Sequence, residues 1–255
     1  MRFAHLESLT VQFDRIRTAR NRTRRAKRLE IPFKRASTFR VPEFIFSNSG
    51  RRPFLSVNEA GAATAFVDIF LDDCYHVGAF CSTSTRRVLD IGANVGFFSI
   101  ASRIAFPNAV VHAYEPNPEL QFCLEGNGKE FGFDVFPNAI GVEAGRCELD
   151  QAESSVLKRT TDDSSGSIQV EAFQEAKHRI GLPVDLLKLD CEGAEWQILA
   201  RADLLEAVSS ITMEYHLDGT HGHDDAERLV KNAGFRIVDQ VPAHGNAGMM
   251  LAVRV

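Results

Sequence analysis

Charged side chains stand at the ends of two apolar runs in this sequence of 255 residues. Asp190 ends the first run, with Lys188 two positions before it, and Glu214 and His216 end the second. Alternate residues of a strand point to the same side, so each pair shares one side. Because a carboxylate or an imidazole can accept a proton from a hydroxyl, these residues are candidates for acid–base chemistry. A buried Lys188–Asp190 ion pair is the structural alternative.

A glycine-containing loop has the composition of a ligand-binding turn. Gly92 and Gly96 lie in D-I-G-A-N-V-G, directly after an apolar run. Glycine lets the backbone approach a ligand closely, and the helix predicted to follow would add unpaired N–H groups. Asp90 could bind loop amides or a cationic ligand. The G-x-x-x-G spacing lacks the third glycine of a dinucleotide-binding loop.

Two further polar residues end predicted strands. Glu115 follows the run 110–114, and an acid at the end of the second strand of a β–α–β unit can accept hydrogen bonds from a ribose diol. Asn138 lies near the end of the run 133–140. It could face the adenine edge of a nucleoside or serve as a turn residue.

The elements that must position these residues alternate between strand and helix patterns. Strands are predicted at 88–91, 110–114, 133–140, 184–190, 210–215, 235–241 and 248–255, and helices at 97–106, 117–128, 170–180, 191–205 and 224–232. The last two strands should pair as an antiparallel hairpin. Residues 146–170 predict a strand or hairpin and then a mobile loop, and 66–75 should cover the cofactor site. The order predicts an α/β fold with a mostly parallel seven-stranded sheet and helices on both faces.

Charge is unevenly distributed along the chain. The totals are 29 Lys and Arg against 34 Asp and Glu, yet residues 15–40 contain 11 basic side chains and one acid, Glu30. One interpretation is a solvated, partly helical arm. The other is contact with an anionic surface, such as a membrane leaflet, a nucleotide-linked sugar or RNA. We therefore divide the chain into a basic arm, 1–60, and a folded domain, 61–255.

The cysteine pattern and the N-terminus bear on the cellular setting. The five cysteines are scattered and predict neither a disulfide framework nor a zinc site. His221 and His223 form only an H-x-H pair, a poor metal signal. The first residues lack the apolar core of a signal peptide, and no run has transmembrane length. We expect a soluble cytoplasmic protein and leave the oligomeric state open.

Four motifs, in this order, carry a family resemblance. They are V-L-D-I-G-A-N-V-G-F-F, Y-E-P-N-P, D-L-L-K-L-D-C-E-G-A-E and M-E-Y-H. Over residues 66–241 the chain resembles the FkbM family of S-adenosylmethionine (SAM)-dependent methyltransferases. The resemblance implies a Rossmann-like class I methyltransferase fold. It also implies methyl transfer to a hydroxyl oxygen of a small-molecule or glycan acceptor: a sugar, glycolipid or secondary metabolite.

The resemblance also assigns residues. It implies a SAM site with Asp90, Gly92, Asn94 and Gly96 on the methionine side and Glu115 on the ribose. It implies an active-site rim formed by Lys188, Asp190, Glu192, Gly193 and Glu195. For Glu195, a favourable interaction with a helix dipole is the structural alternative.

Two mechanisms and two other functions remain as alternatives. In the first mechanism, which we favour, Asp190 lies on the acceptor side with Glu214 or His216 beside it, and one of these groups removes the proton directly without a metal. A Mg²⁺ ion held by Asp190 and Glu214 would instead lower the pKa of the hydroxyl. The other functions are an NAD-dependent oxidoreductase and an RNA-directed methyltransferase-like protein that uses the basic arm.

Overall fold

The computed structural model describes residues 17–33, 39–47, 49–55, 61–80, 84–149, 160–162, 166–244 and 246–255. Its strands are β1 (Phe44–Ser47), β2 (Gly50–Pro53), β3 (Arg87–Ile91), β4 (Val110–Tyr114), β5 (Asp134–Phe136), β6 (Ala139–Gly141), β7 (Gly145–Leu149), β8 (Thr160–Asp162), β9 (Ile168–Ala172), β10 (Leu186–Leu189), β11 (Ser210–His216), β12 (Phe235–His244) and β13 (Ala247–Arg254). Its α-helices are α1 (residues 17–28), α2 (Ala62–Phe66), α3 (Phe97–Ala105), α4 (Gln121–Phe131), α5 (Phe173–Ile180), α6 (Glu195–Leu199) and α7 (His223–Asn232). A π-helix spans Val67–Asp72, and 3₁₀ turns span Val77–Phe80 and Ala202–Leu205.

A seven-stranded sheet with the order β12-β13-β11-β10-β3-β4-β5 forms the centre of the fold. The strands from β11 to β5 pair in parallel, whereas β13 is antiparallel to both β11 and β12. Every residue of β10 is buried, as expected for a parallel strand covered on both faces. One hydrophobic cluster contains residues of α3 and α4, and a second contains residues of α5, α6 and α7. The predicted α/β fold with a C-terminal antiparallel hairpin is confirmed.

The single strand predicted at 133–140 is wrong. The structure has two short strands there, and they join different sheets. β5 extends the central sheet, whereas β6 pairs with β9. Pro137 lies between the two strands and lacks the N–H that a continuous ladder needs. The break turns the chain out of the central sheet directly before Asn138.

A second sheet with the order β6-β9-β7-β8 occupies the region predicted as a strand or hairpin and a loop. β7 pairs antiparallel with both β8 and β9, so the predicted hairpin is present. The mobile loop predicted in this region falls largely on residues 150–159 and 163–165, which lie outside the described residues.

The predicted end of the second helix at Gly126 and Gly128 is also wrong. α4 runs through both glycines to Phe131, and Gly132 follows it with a φ of 79°. A Cβ on Gly128 would lie 2.9 Å from the carbonyl oxygen of Phe133, and one on Gly126 would lie 2.6 Å from a methyl carbon of Leu55. These glycines therefore allow close packing in mid-helix and do not end the helix.

The helix predicted to reach residue 205 is shorter in the structure. α6 ends at Leu199, and Arg201 takes the non-helical angles φ −107° and ψ 79° before the 3₁₀ turn begins. The Arg201 side chain donates hydrogen bonds of 2.9 and 2.8 Å to Asp203 in that turn. None of the helices in the described part of the chain is long and apolar enough to cross a membrane.

The basic segment contains a helix that packs on the rest of the molecule. Ala26 of α1 and Ile31 after it are buried in the same cluster as Phe97. Two arginines of α1 form ion pairs, Arg22 with Asp72 and Arg25 with Asp73. The division of the chain at residue 60 stays a prediction.

The close packing at Gly128 can be tested by adding one methyl group. We expect Gly128→Ala to destabilise the fold by about 1–3 kcal/mol, because its Cβ would meet backbone of Phe133 and a methyl group of Val135, both at 2.9 Å. This strain should outweigh the gain of about 0.5–1 kcal/mol from replacing glycine in a helix.

Urea unfolding measures the change in the free energy of unfolding. Gly145→Ala is the control, because a Cβ there meets nothing within 4 Å. A Gly128→Ala protein as stable as the control would contradict the packing argument.

Candidate active site

Asp90 lies beneath the glycine loop at the centre of the sheet. Its side chain is fully buried, and Ser99 Oγ donates a hydrogen bond of 2.6 Å to Asp90 Oδ2. Lys188 Nζ lies 3.3 Å from Asp90 Oδ1. Burial raises the pKa of Asp90, and the Lys188 charge opposes that rise. The Asp90 side chain therefore contacts Ser99 and Lys188 and does not line the cleft described next.

The loop after β3 turns through three residues with positive φ. The φ angles are 80° at Gly92, 52° at Asn94 and 88° at Gly96. A Cβ on Gly92 would lie only 1.7 Å from the carbonyl oxygen of Asp190, so no other residue fits there. Gly96 instead faces the core, where a Cβ would lie 2.9 Å from Leu124 Cδ1.

Glu115 links the glycine loop to the end of β4. Its carboxylate accepts hydrogen bonds from the backbone N–H groups of Asn94, at 2.8 Å, and Asn117, at 2.9 Å. Burial raises the pKa of Glu115 to about 7, although these N–H donors oppose the rise. The sequence marked this acid as a ribose ligand, and the structure places it in the wall of a cleft.

A cleft opens at the carboxyl ends of the central strands. It brings together four predicted cofactor residues, Gly92, Asn94, Glu115 and Asn138, with the predicted catalytic residue Asp190. The remaining lining residues are Ile91, Tyr114, Pro116, Ala139, Ile140, Cys191, Glu192 and Ala194. An apolar wall with a few polar groups and a tight backbone loop fits a nucleoside cofactor.

Lys188 joins the two sides of the site. Its ammonium lies 3.3 Å from Asp90 and 3.2 Å from Asp190, and it also donates to the carbonyl oxygen of Gly92. Burial alone would lower the pKa of Lys188, but the charges of Asp190 and Asp90 raise it above its usual value. Lys188 is thus a permanent buried cation. The Lys188–Asp190 ion pair, which the sequence offered as the structural alternative, is present.

Asp190 and Glu214 share a neighbour that the sequence analysis missed, Tyr75. Its hydroxyl donates to Asp190 Oδ2 at 2.8 Å and lies 3.4 Å from Glu214 Oε2. Burial and the two carboxylates raise the pKa of Tyr75, so the hydroxyl stays protonated. Burial and the charge of Asp190 raise the pKa of Glu214 to about 7. The segment predicted to cover the cofactor site thus ends on these two carboxylates. Its apolar pattern was the only signal for Tyr75.

His216 lies among three carboxylates. Its Nδ1 is 3.0 Å from Glu195 Oε1, and its Nε2 is 3.4 Å from Glu192 and 3.9 Å from Glu214. Burial lowers the pKa of His216, but the hydrogen bond to Glu195 and the charge of Glu192 raise it to about 9. Burial raises the pKa of Glu192 to about 7.

Glu195 lies behind His216, away from the rim. It is fully buried and accepts hydrogen bonds from the backbone N–H groups of His216 and Gly193, both at 2.7 Å. Trp196 donates its indole N–H to the carbonyl oxygen of His216 at 2.7 Å and stacks on His221 with 4.6 Å between ring centroids. Glu195 and Trp196 therefore position His216.

Among the residues that the structure describes, one group of side chains could hold a metal ion. Ligand atoms of Asp190, Glu192 and His216 lie within 4.8 Å of one another. The pair suggested by the sequence was Asp190 with Glu214, so Glu192 and His216 are additions. His221 and His223 are not in this group: His221 pairs with Asp218, and His223 with Gln240.

Comparison with known proteins finds similarity to methyltransferases. A family model described as the methyltransferase FkbM domain matches residues 90–237. The chain is 27% identical over 239 residues to methyltransferase sdnD of Sordaria araneosa, covering 77% of this chain and 90% of that protein. It is 36% identical over 71 residues to the 31-O-demethyl-FK506 methyltransferase FkbM of Streptomyces tacrolimicus, covering 28% and 27%. The precorrin-6y C5,15-methyltransferase of Geobacter metallireducens GS-15 aligns with a TM-score of 0.48 and 14% identity, covering 79% of this chain and 94% of that one.

The dependence of His216 on Glu195 predicts a change in its titration. We expect Glu195→Gln to lower the pKa of His216 from about 9, because the buried negative partner is lost. NMR titration of the imidazole measures this directly, and an unchanged pKa would contradict the assignment.

The same interaction should appear in the stability of the protein. A His whose pKa is higher in the folded state stabilises the protein fully below about pH 6.5 and loses this contribution as pH rises through about 9. The excess stability of the wild type over Glu195→Gln, roughly 1–3 kcal/mol, should therefore shrink across that range. An excess that did not change with pH would mean that Glu195 acts only through uncharged contacts.

Proposed function

The chain belongs to the FkbM family of SAM-dependent methyltransferases, and we propose that it transfers a methyl group from SAM to a hydroxyl oxygen of a sugar, glycolipid or secondary metabolite. The observation that carries the proposal is the position of Asp190, which lines the same cleft as Gly92 and Glu115 while contacting the Glu214 side of the site through Tyr75. The FkbM relative has a name that specifies an oxygen acceptor, which supports the choice of oxygen.

Different cleft residues suit the ribose, adenine and methionine parts of SAM. Glu115 keeps lone pairs for ribose hydroxyls beyond the two N–H groups that it already accepts. Asn138 lies in the same wall and suits the adenine edge. Gly92 and Asn94 bring backbone close to the methionine part. Bound SAM supplies an electrophilic methyl group on a positively charged sulfur.

Proton removal from the acceptor hydroxyl is assigned to the carboxylates of Asp190 and Glu214. Asp190 Oδ2 is engaged by Lys188 and Tyr75, which leaves the second oxygen to orient a hydroxyl. Glu214, with a pKa of about 7, is matched to accept a proton near neutral pH. His216, with a pKa of about 9, is a cation at that pH and stabilises the carboxylates around it.

A metal-assisted version would use Asp190, Glu192 and His216, whose ligand atoms lie close together. We favour the metal-free version because Lys188 already gives Asp190 a fixed positive partner at 3.2 Å. His216 is also held as a cation between Glu192 and Glu195. A metal ion would have to displace that proton.

The two other functions considered from the sequence are less well supported. Family membership argues for a methyl donor over a nicotinamide cofactor. Arg22 and Arg25 of α1 are paired with Asp72 and Asp73 and are not available to phosphate groups without breaking those pairs. We therefore keep RNA only as one of the candidate acceptors in the assay described below.

Removal of Glu115, the residue proposed to bind the ribose, should weaken cofactor binding. We expect Glu115→Ala to weaken binding of SAM and of S-adenosylhomocysteine by roughly 1.5–3 kcal/mol, because a charged hydrogen bond is lost. Isothermal calorimetry measures both affinities, and Glu119→Ala, an exposed acid nearby, is the control. Equal affinities in the wild type and Glu115→Ala would remove Glu115 from the cofactor site.

Removal of the acceptor-side charge should slow turnover. We expect Asp190→Asn to preserve SAM binding and to reduce turnover by about 10²–10⁴-fold, as for the loss of a residue in proton transfer. The assay follows labelled methyl from SAM to p-nitrophenyl glycosides, glycolipids, hydroxylated metabolites and short RNA. Near-normal turnover in Asp190→Asn would exclude Asp190 from the mechanism, and transfer only to RNA would overturn the proposed acceptor class.

Chelation separates the two mechanisms. We expect EDTA to leave the rate of methyl transfer unchanged, because the metal-free version needs only the residues themselves. Loss of activity that Mg²⁺ restores would instead support the metal-assisted version, and Glu192→Gln would then be expected to weaken the response to Mg²⁺.

A further inference from the structure

The segment before β3 ends in an unusual turn. The π-helix Val67–Asp72 continues directly from α2 and ends at Asp73, which has a left-handed φ of 59°. His76 is also left-handed, with a φ of 55°. π-helical turns are rare and often lie at functional sites. Here the turn carries Tyr75 into the interior, where it is 5% exposed.

Tyr75 contacts three charged residues of the site at once. Its hydroxyl reaches Asp190 and Glu214, which end the adjacent strands β10 and β11. Its ring centroid lies 5.4 Å from Lys188 Nζ, and the ring packs edge-on against Phe98 at 5.4 Å. The single hydroxyl proton thus separates two carboxylates that would otherwise repel each other.

The turn is held from outside by α1. Arg22 donates from Nε to Asp72 Oδ1 at 2.6 Å and from its terminal nitrogen to Asp72 Oδ2, in the bidentate geometry that fixes orientation. Arg25 donates to Asp73 Oδ2 at 2.9 Å, and the same carboxylate accepts from the N–H of Gly78 at 3.1 Å. Asp72 and Asp73 directly precede the turn that carries Tyr75.

Two other contacts fix the ends of this arrangement. Ala26 is buried in the hydrophobic cluster, so α1 is anchored independently of its arginines. On the far side of the turn, His76 Nε2 lies 2.8 Å from Asp239 Oδ2 on β12. The turn is therefore clamped between α1 and the edge of the central sheet.

We propose that α1 is a positioning element for the active site, in which Arg22 and Arg25 hold the Asp72–Asp73 turn so that Tyr75 stays on Asp190 and Glu214. The catalytic part of this inference rests on the proposed methyl transfer to a hydroxyl. Under this proposal, two arginines of the basic segment serve contacts within the protein, with Asp72 and Asp73. Small displacements of groups that orient a nucleophile reduce rates strongly, so a surface contact can affect turnover.

The first test compares kinetic constants in four single variants and one double variant. We expect Arg22→Asp, Asp72→Arg and Tyr75→Phe to lower kcat about 10-fold, with KM and Kd for SAM within about two-fold of wild type. Arg24→Asp makes the same charge change on an exposed position of α1 and should leave kcat unchanged. The charge-exchanged protein Arg22→Asp/Asp72→Arg should recover most of the lost kcat. The probe is labelled SAM with the p-nitrophenyl glycoside that reacts fastest.

The second test does not depend on catalysis. Hydrogen–deuterium exchange of backbone amides 73–78 should be faster in Arg22→Asp than in wild type, unchanged in Arg24→Asp, and slow again in the double variant. Unchanged exchange in Arg22→Asp would overturn the clamp. Failure of the double variant to recover slow exchange would overturn the pairing of Arg22 with Asp72.

The outcomes separate the two proposals. If wild-type protein bound SAM but methylated nothing in the panel, the proposed acceptor class would fall, and the exchange data would still decide whether α1 holds the turn. If wild type were active and both Arg22→Asp and Tyr75→Phe had wild-type kcat, the positioning role would fall, and the methyltransferase assignment would stand.

Discussion

The site depends on one buried ammonium group between two carboxylates. Lys188 lies between Asp90 and Asp190, which end or nearly end adjacent parallel strands, and its charge offsets the repulsion between them. The same ammonium donates to the carbonyl oxygen of Gly92 and thereby fixes the loop that lines the cleft. One charge therefore couples the position of the loop to that of Asp190. This explains why a lysine is tolerated in a strand whose other residues are all apolar.

The topology of the sheet explains why the two sides of the site meet at this place. From β3 the chain moves outward to β4 and β5, and it later returns to place β10 on the other side of β3. A parallel sheet leaves a crevice where its connections diverge in this way, at the carboxyl ends of the strands. Glu115 comes from one branch, and Asp190 and Glu214 come from the other. The glycine loop of β3 lies between them.

Sequence patterns predicted what is local and missed what depends on distant partners. The runs that end at Glu115, Asp190 and Glu214 correctly predicted three strands, and a parallel sheet brings the ends of those strands to one edge. Tyr75 lies 115 residues from Asp190 in sequence, so no spacing could reveal its hydrogen bond. The glycines of α4 are typical of a helix end, and only their contacts with Leu55, Phe133 and Val135 show why they are small.

The stack of Trp196 on His221 and its bond to the backbone of His216 have an optical consequence. Trp196 is the only tryptophan in the sequence, and it is 3% exposed beside His216 and His221. All tryptophan fluorescence of the protein therefore comes from Trp196 beside His216. The molecule carries a native fluorophore whose signal reports on the surroundings of His216 without any label.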